Sequence, residues 1–209
     1  MAEMKDQSVQ YFLDELASRN ATPGGGSAAA LMGAQAAALL SMVCRLTIGK
    51  PKYAAFETDM QLALAQAEQL RASLTDMIKA DIEVFNRLMA CYALPKATDE
   101  EKAMRNMRIQ IVLKDAIEVP LNCARACAEV LALSEIVASK GSVAVISDAG
   151  VAVMSAYAGF KSAALNVDIN AAGLKDKACA MASVQEVERL GLHLEVKAND
   201  IYLLVKSRL

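Results

Sequence analysis

From Ala54 to Tyr92 the chain contains neither proline nor glycine. Apolar residues recur there at Phe56, Met60, Ala63, Ala67, Leu70, Leu74, Met77, Phe85 and Leu88. Steps of three and four put these side chains on one face of a single long amphipathic helix. A helix of this length needs neighbours of comparable length to cover it, and that requirement shapes the rest of the fold. The composition agrees: 55% of residues are hydrophobic but only 4% aromatic, with no tryptophan. Ala, Leu, Val, Ile and Met suit close-packed helices better than sheets, which favour β-branched and aromatic residues.

The flanking segments read the same way. Val9, Phe12, Leu13 and Leu16 give helical spacing over residues 6–19. Ser27 is a plausible N-cap for a second helix reaching Arg45. The stretch TIGKPKY, residues 47–53, is a break. Thr98 and Glu101 form a capping box after Pro95. Pro120 should kink or split the following helix near Glu118, which resumes to Ser139 and ends at Gly141. Ser147 or Asp148 caps another helix, running to Ala172 before Gly173, and a last one spans Lys175–Ser207. The prediction is a single all-α domain over residues 1–209. It has six to eight helices, long and antiparallel, and forms a homodimer that covers the faces one chain leaves open.

The formal charge is −2 with no basic block, which argues against nucleic acid as a partner. The polar N-terminus MAEMKDQSVQ is not a signal peptide. Cys44, Cys91, Cys123, Cys127 and Cys179 are an odd number scattered through apolar helices, as expected of buried, reduced thiols in a cytoplasmic protein. Residues 27–44 are apolar enough to raise the question of a membrane span. They lean on alanine and are interrupted by Gln35 and Ser41, so a core helix is expected, with no membrane partner.

Asp81 falls on the core-facing stripe between Met77 and Phe85. A carboxylate there is either paired with a cation from a neighbouring helix or left with its pKa raised by desolvation. The second state suits a general acid/base near neutrality. Asn166 and Asn170 lie one turn apart in a helix that Asp148 opens. Their amides must bond either to neighbouring helices or to the edge of a flat polar ligand. Lys50, Lys52 and Tyr53 form either a solvated loop or an attractor for an anionic tail. His193, the single histidine, is expected on the polar face of the last helix. No Cys/His/Asp cluster has metal-ligand spacing. The run PGGGS lacks the spacing of a P-loop and the preceding strand of a dinucleotide site. It is either a hinge or a turn that exposes backbone N–H groups to a ligand.

Taken in order, TPGGGS with an Ala-rich helix, LTIGKPKY, KADIEVF, LPKATDEEK and SDAGVAVMSAYAGFKSAALNVDIN resemble the cyclodeaminase/cyclohydrolase family. Its members include the C-terminal half of formiminotransferase-cyclodeaminase and stand-alone bacterial methenyltetrahydrofolate cyclohydrolases, and the likeness is greater to the latter branch. The resemblance covers essentially the whole chain. It implies an all-helical dimer whose aspartate in the D-x-E-x-F motif, here Asp81, is the acid/base group. It also implies folate contacts at Pro23, Gly24, Gly25, Gly26, Ser27, Lys50, Lys52, Tyr53, Asp148, Asn166 and Asn170. The implied reaction is hydrolysis of 5,10-methenyltetrahydrofolate to 10-formyltetrahydrofolate, with a tetrahydrofolate derivative as substrate, no permanently bound cofactor and no metal. The alternative is cyclodeamination of formimidoyltetrahydrofolate with release of ammonia. A third reading is a non-catalytic helical folate-binding module or scaffold. The chain departs from the family pattern in two places. Pro51 stands where a lysine is common, and Lys79 and Ala80 stand where relatives carry a second acid.

Overall fold

The computed structural model describes residues 3–209, and every regular element among them is helical. The α-helices are α1 (Val9–Leu16), α2 (Gly25–Arg45), α3 (Glu57–Tyr92), α4 (Asp99–Lys140), α5 (Ile146–Gly173), α6 (Lys177–Gly191) and α7 (Leu194–Ser207), with short 3-10 turns at Met4–Asp6, Pro51–Phe56 and Val143–Val145. The four longest helices form the bundle. Helix α2 packs between α3 and α5, α4 closes the other side against α3 and α5, and α6 and α7 cover α4 and α5.

Side-chain pairs fix the directions. Ser27 meets Asp81 at one end of α2 and Arg45 meets Glu68 at the other, so α2 and α3 are antiparallel. Ser155 Oγ donates to the Met32 carbonyl and Asn166 lies beside Gly25, so α5 is antiparallel to α2. Arg87 pairs with Asp115 and Lys140 with Asp59, which makes α3 and α4 antiparallel as well.

The alanine and glycine content of α2 permits close approach. A Cβ on Gly33 would lie 2.7 Å from Cys127 Sγ, and one on Gly159 would lie 3.1 Å from the Ala29 carbonyl oxygen. Ala29, Ala36 and Ala37 are fully buried beside them. The α2 and α5 backbones therefore meet along a seam bordered by the side chains of Cys127 and Leu74. Away from it Leu40, Met60, Ile117, Leu121 and Leu131 fill the core. Helices α2 and α5 are each long and apolar enough to cross a membrane by length and composition, and most of the apolar window of α2 is buried inside the bundle, as a core helix requires.

The capping box forms as predicted: Thr98 Oγ1 accepts from the Glu101 amide, and the Glu101 carboxylate accepts from the Thr98 amide. Several expectations are corrected. Helix α1 is shorter than predicted and is capped by Ser8. Helix α2 begins at Gly25, so Ser27 lies inside its first turn and is not the N-cap. Helix α5 starts at Ile146 without a side-chain cap, so neither Ser147 nor Asp148 has that role. On α3, Ile78 and Val84 are buried while Phe56 is 37% exposed. The last helix is two helices, because His193 adopts a left-handed conformation (φ 65°) between α6 and α7. Helix α4 is not split at Pro120, since Asn170 replaces the hydrogen-bond donor that the proline lacks. The five cysteines are free; Cys44, Cys123 and Cys127 are buried, whereas Cys91 and Cys179 are partly exposed.

Candidate active site

Asp81 projects from α3 onto the first turn of α2. Ser27, fully buried, donates its hydroxyl to Asp81 Oδ2 at 2.6 Å. Gly26 leaves the room: a Cβ there would fall 2.1 Å from Asp81 Oδ1, well inside contact distance. Glycine is thus required at position 26 by close approach, whatever its φ. Gly26, Ala30, Met77, Asp81, Val119, Pro120, Cys123 and Ala163 enclose a narrow cleft to which α2, α3, α4 and α5 all contribute.

Burial is the largest influence on this carboxyl and pushes its pKa up; the hydroxyl and backbone N–H of Ser27 act in the opposite sense. No lysine or arginine pairs with it among the described residues. Asp81 is therefore the desolvated carboxylate of the two alternatives. Its neighbour Lys79 points away, bonded to Glu3 and 3.8 Å from Glu83.

The predicted site residues fall into two groups. Pro23 and the turn Gly24–Gly25 precede Gly26 and Ser27. Asn166 lies beside Gly25, so close that a Cβ on Gly25 would stand 3.6 Å from its Nδ2, and it donates to the Ser162 carbonyl. Asn170 donates to the Ala116 carbonyl at 2.6 Å, so its amide serves a neighbouring helix. Lys50, Lys52, Tyr53 and Asp148 lie elsewhere. They follow the C-terminal end of α2 or open α5, and at 1.5 Å per residue they stand about 27–30 Å from Ser27 and Asn166. There Lys50 Nζ donates to Ser142 Oγ at 3.2 Å, Lys52 Nζ lies 5.6 Å over the Tyr53 ring, and the Tyr53 hydroxyl accepts from the Val143 amide at 3.0 Å. That hydrogen bond holds the Tyr53 phenol below its usual pKa. Within one chain these residues do not join the Asp81 cleft. His193 is exposed between α6 and α7.

Sequence reasoning misses Ser27's bond to Asp81 and the α4 contribution of Val119, Pro120 and Cys123. The signal for Ser27 is its place among alanines: a lone hydroxyl in a buried run needs a partner. Met77 and Val119 also line a groove of about 890 Å³ between α3 and α4. Its one guanidinium, Arg125, is bonded to both Glu118 and Glu186, and Glu129 stands nearby. The groove lining itself thus carries one cation and one carboxylate, Arg125 and Glu129.

A half-buried carboxylate held by a hydroxyl, in a cleft lined otherwise by glycine and apolar side chains, can take a proton from water and return it, and can face a cationic ligand carbon. Comparison with known proteins finds the formiminotransferase-cyclodeaminase family model matching residues 8–189. A methenyltetrahydrofolate cyclohydrolase of Methylorubrum extorquens is 54% identical over 203 residues, 97% of this chain and 98% of that protein. A formimidoyltransferase-cyclodeaminase of Rattus norvegicus is 33% identical over 171 residues, 82% of this chain but 32% of that protein. The crystal structure of formiminotetrahydrofolate cyclodeaminase from Thermotoga maritima superposes with a TM-score of 0.83 at 30% identity, covering 99% of this chain and 98% of that one.

Proposed function

The chain belongs to the formiminotransferase-cyclodeaminase family, and on that premise we propose that it hydrolyses 5,10-methenyltetrahydrofolate to 10-formyltetrahydrofolate, with Asp81 as the general acid/base. The observation that carries the reading is the state of Asp81: half-buried, with no cationic partner among the described residues, and oriented by Ser27. The full-length likeness to a stand-alone cyclohydrolase supports this choice of reaction.

The reacting carbon of the substrate bridges N5 and N10 as a positively charged amidinium. The Asp81 carboxylate stabilises that charge in a partly desolvated cleft. It takes a proton from the attacking water as the oxygen bonds to carbon. The neutral tetrahedral adduct then loses its C–N5 bond, Asp81 returns the proton to N5, and the hydroxyl proton leaves to solvent as the formyl C=O forms. One proton is released per turnover. Proton transfer of this kind is worth on the order of 10²–10⁴-fold. The Gly24–Gly25 turn and Asn166 lie where a flat ring can approach backbone and amide. The enzyme works without a metal or bound cofactor, in the cytoplasm, as a homodimer of single-domain chains.

Loss of the near-UV absorbance of methenyltetrahydrofolate on adding the protein tests the reading, and an unchanged uncatalysed rate overturns it. The likeness to the Thermotoga maritima cyclodeaminase favours one alternative. In it, N10 attacks a 5-formimidoyl carbon and ammonia leaves. That reaction makes the absorbance appear instead of disappear.

A further inference from the structure

The cleft around Asp81 is too tight to hold the rings of a substrate: Gly26, Ala30, Met77, Val119 and Pro120 leave no accessible space between them. The rings must lie outside it. Met77 and Val119 also border the groove between α3 and α4, of about 890 Å³, a volume typical of small-molecule sites. Packed helices rarely leave such a gap. It opens where the facing surfaces carry the small residues Ser73, Ala80 and Ala126.

The end of the groove next to Asp81 has a definite chemistry. Its walls there are Met77, Ala80, Val119 and Ala126, all apolar. Polar groups come one helical turn further: Ser73 beyond Met77 on α3, and Asn122 beyond Val119 on α4. The antiparallel pairing of Arg87 with Asp115 and of Lys140 with Asp59 sets Asn122 opposite the turn Met77–Ala80. Asn122 Oδ1 accepts from Arg125 at 2.7 Å, whereas its amide nitrogen and the Ser73 hydroxyl have no partner among the described residues. Ser73 stands about 12 Å from Asp81 along α3, an interval that a bicyclic ring with a hydrogen bond at each end can span.

Charge decides which half of the substrate suits this groove. The reacting carbon joins N5 of a reduced pterin to N10 of an aminobenzoyl-glutamate, so the two halves leave Asp81 separately. The glutamate half carries carboxylates. The pterin half is a flat ring whose far edge alternates amine, ring nitrogen and carbonyl. The guanidinium of Arg125 is already bonded to Glu118 and Glu186, and the other charge in the lining is the Glu129 carboxylate. The groove thus has no cation free to hold a carboxylate tail. Its apolar walls suit a ring face, and the unbranched Met77 side chain can adapt to it. Its unpartnered amide and hydroxyl suit the ring's polar edge.

We propose that the end of the α3/α4 groove next to Asp81 is a pterin pocket: the ring lies between Met77 and Val119, its N5 faces the Asp81 carboxylate, and Asn122 and Ser73 bond its amino-carbonyl edge. The identity of the ligand rests on the folate reading above. The aminobenzoyl half is then left to the Gly24–Gly25 turn and Asn166. Asn122 and Ser73 set specificity, because a site built to hydrogen-bond a ring edge rejects a ring that lacks it.

Equilibrium dialysis with 6-methyltetrahydropterin, which lacks the aminobenzoyl-glutamate half, tests the pocket without any turnover. The wild type should bind it saturably, and p-aminobenzoylglutamate should not displace it. Asn122→Ala should weaken binding by about tenfold, the effect of one lost hydrogen bond. Ser73→Trp, which fills the groove from an exposed position, should abolish binding. Ala72→Trp, equally exposed but outside the groove, should leave it intact. Circular dichroism of each variant checks the fold. With methenyltetrahydrofolate, Asn122→Ala should raise KM by about tenfold with kcat little changed, as loss of uniform binding requires. The pocket is overturned if the wild type does not bind the pterin, if Ser73→Trp and Asn122→Ala bind it as the wild type does, or if p-aminobenzoylglutamate displaces it. Failure of the folate reading gives a different pattern. A wild type that binds the pterin in a Ser73-dependent way but does not turn over methenyltetrahydrofolate sinks the reaction and upholds the pocket. Turnover with an unchanged KM in Ser73→Trp sinks the pocket and upholds the reaction.

Discussion

The side-chain amide of Asn170 on α5 donates to the carbonyl of Ala116 on α4 at 2.6 Å, the carbonyl that Pro120, four residues on, has no N–H to serve. A buried proline is thereby accommodated inside a 42-residue helix, and its ring is free to line the Asp81 cleft. Asn170→Ala should leave that carbonyl unsatisfied and cost about 1–3 kcal/mol, lowering Tm by about 2–4 °C per kcal/mol in a chain of this size. In a Pro120→Ala background, which restores the N–H, the same substitution should cost clearly less. Calorimetry on the four chains checks this. A cost unchanged by Pro120→Ala would show that Asn170 acts some other way.

Asp81→Asn should abolish the proton shuttle and yet stabilise the fold at neutral pH. Burial raises the carboxyl pKa in the folded chain above its usual value of 3.8, so the folded state holds its proton over a pH range in which the unfolded chain has lost it. The stability tied to that proton is fully present below pH 3.8 and is lost as pH rises through the folded value. The asparagine removes this dependence. It should raise Tm at pH 7, and the gain should fade toward pH 3.8. Thermal melts at several pH values measure it.

Ser27→Ala removes a hydrogen bond to the ionised form of Asp81. The carboxyl pKa should then rise further. Since the base must be ionised, the acid limb of the kcat/KM profile should move to higher pH. A profile that keeps its acid limb while only falling in height would mean that Ser27 does not tune the carboxyl.

Gly26→Ala places a methyl where Asp81 Oδ1 stands, 2.1 Å from the position of its carbon. Alanine favours helix, so the fold should survive, but the carboxylate must move by an ångström or more. Misplacement on that scale costs about 10²-fold in kcat. Steady-state kinetics beside a circular dichroism spectrum would separate lost geometry from lost structure.

Much of this is legible in the sequence because periodicity reports burial. The α3 stripe singles out Asp81 by spacing alone, and the Thr98–Glu101 pattern places the start of α4. The misses share a cause, which is that local pattern does not report long-range partners. Pro120 reads as a break because Asn170, fifty residues on, is invisible to a local rule. Ser27 reads as an N-cap because a triple glycine hides which residue first turns helical. The α6/α7 break at His193 carries no proline, and its left-handed backbone is uncommon outside glycine, asparagine and aspartate. Motif order joins Lys50 to Asp81, whereas the helical rise of α2 separates them within one chain.

The seam of Gly33, Gly159 and the buried alanines also bears on how this site can change over generations. Along this seam the α2 and α5 backbones already touch, and a first added carbon meets the main chain of α2 at Gly159 or the side chains of Cys127 and Leu74 at Gly33. Single substitutions within the seam have no volume in which to try a new shape. Room for variation lies on α3 and α4, where Met77 and Val119 border both the cleft and the open groove. A lineage that comes to accept a different substrate should therefore record the change on one half of the bundle while the other half stays fixed.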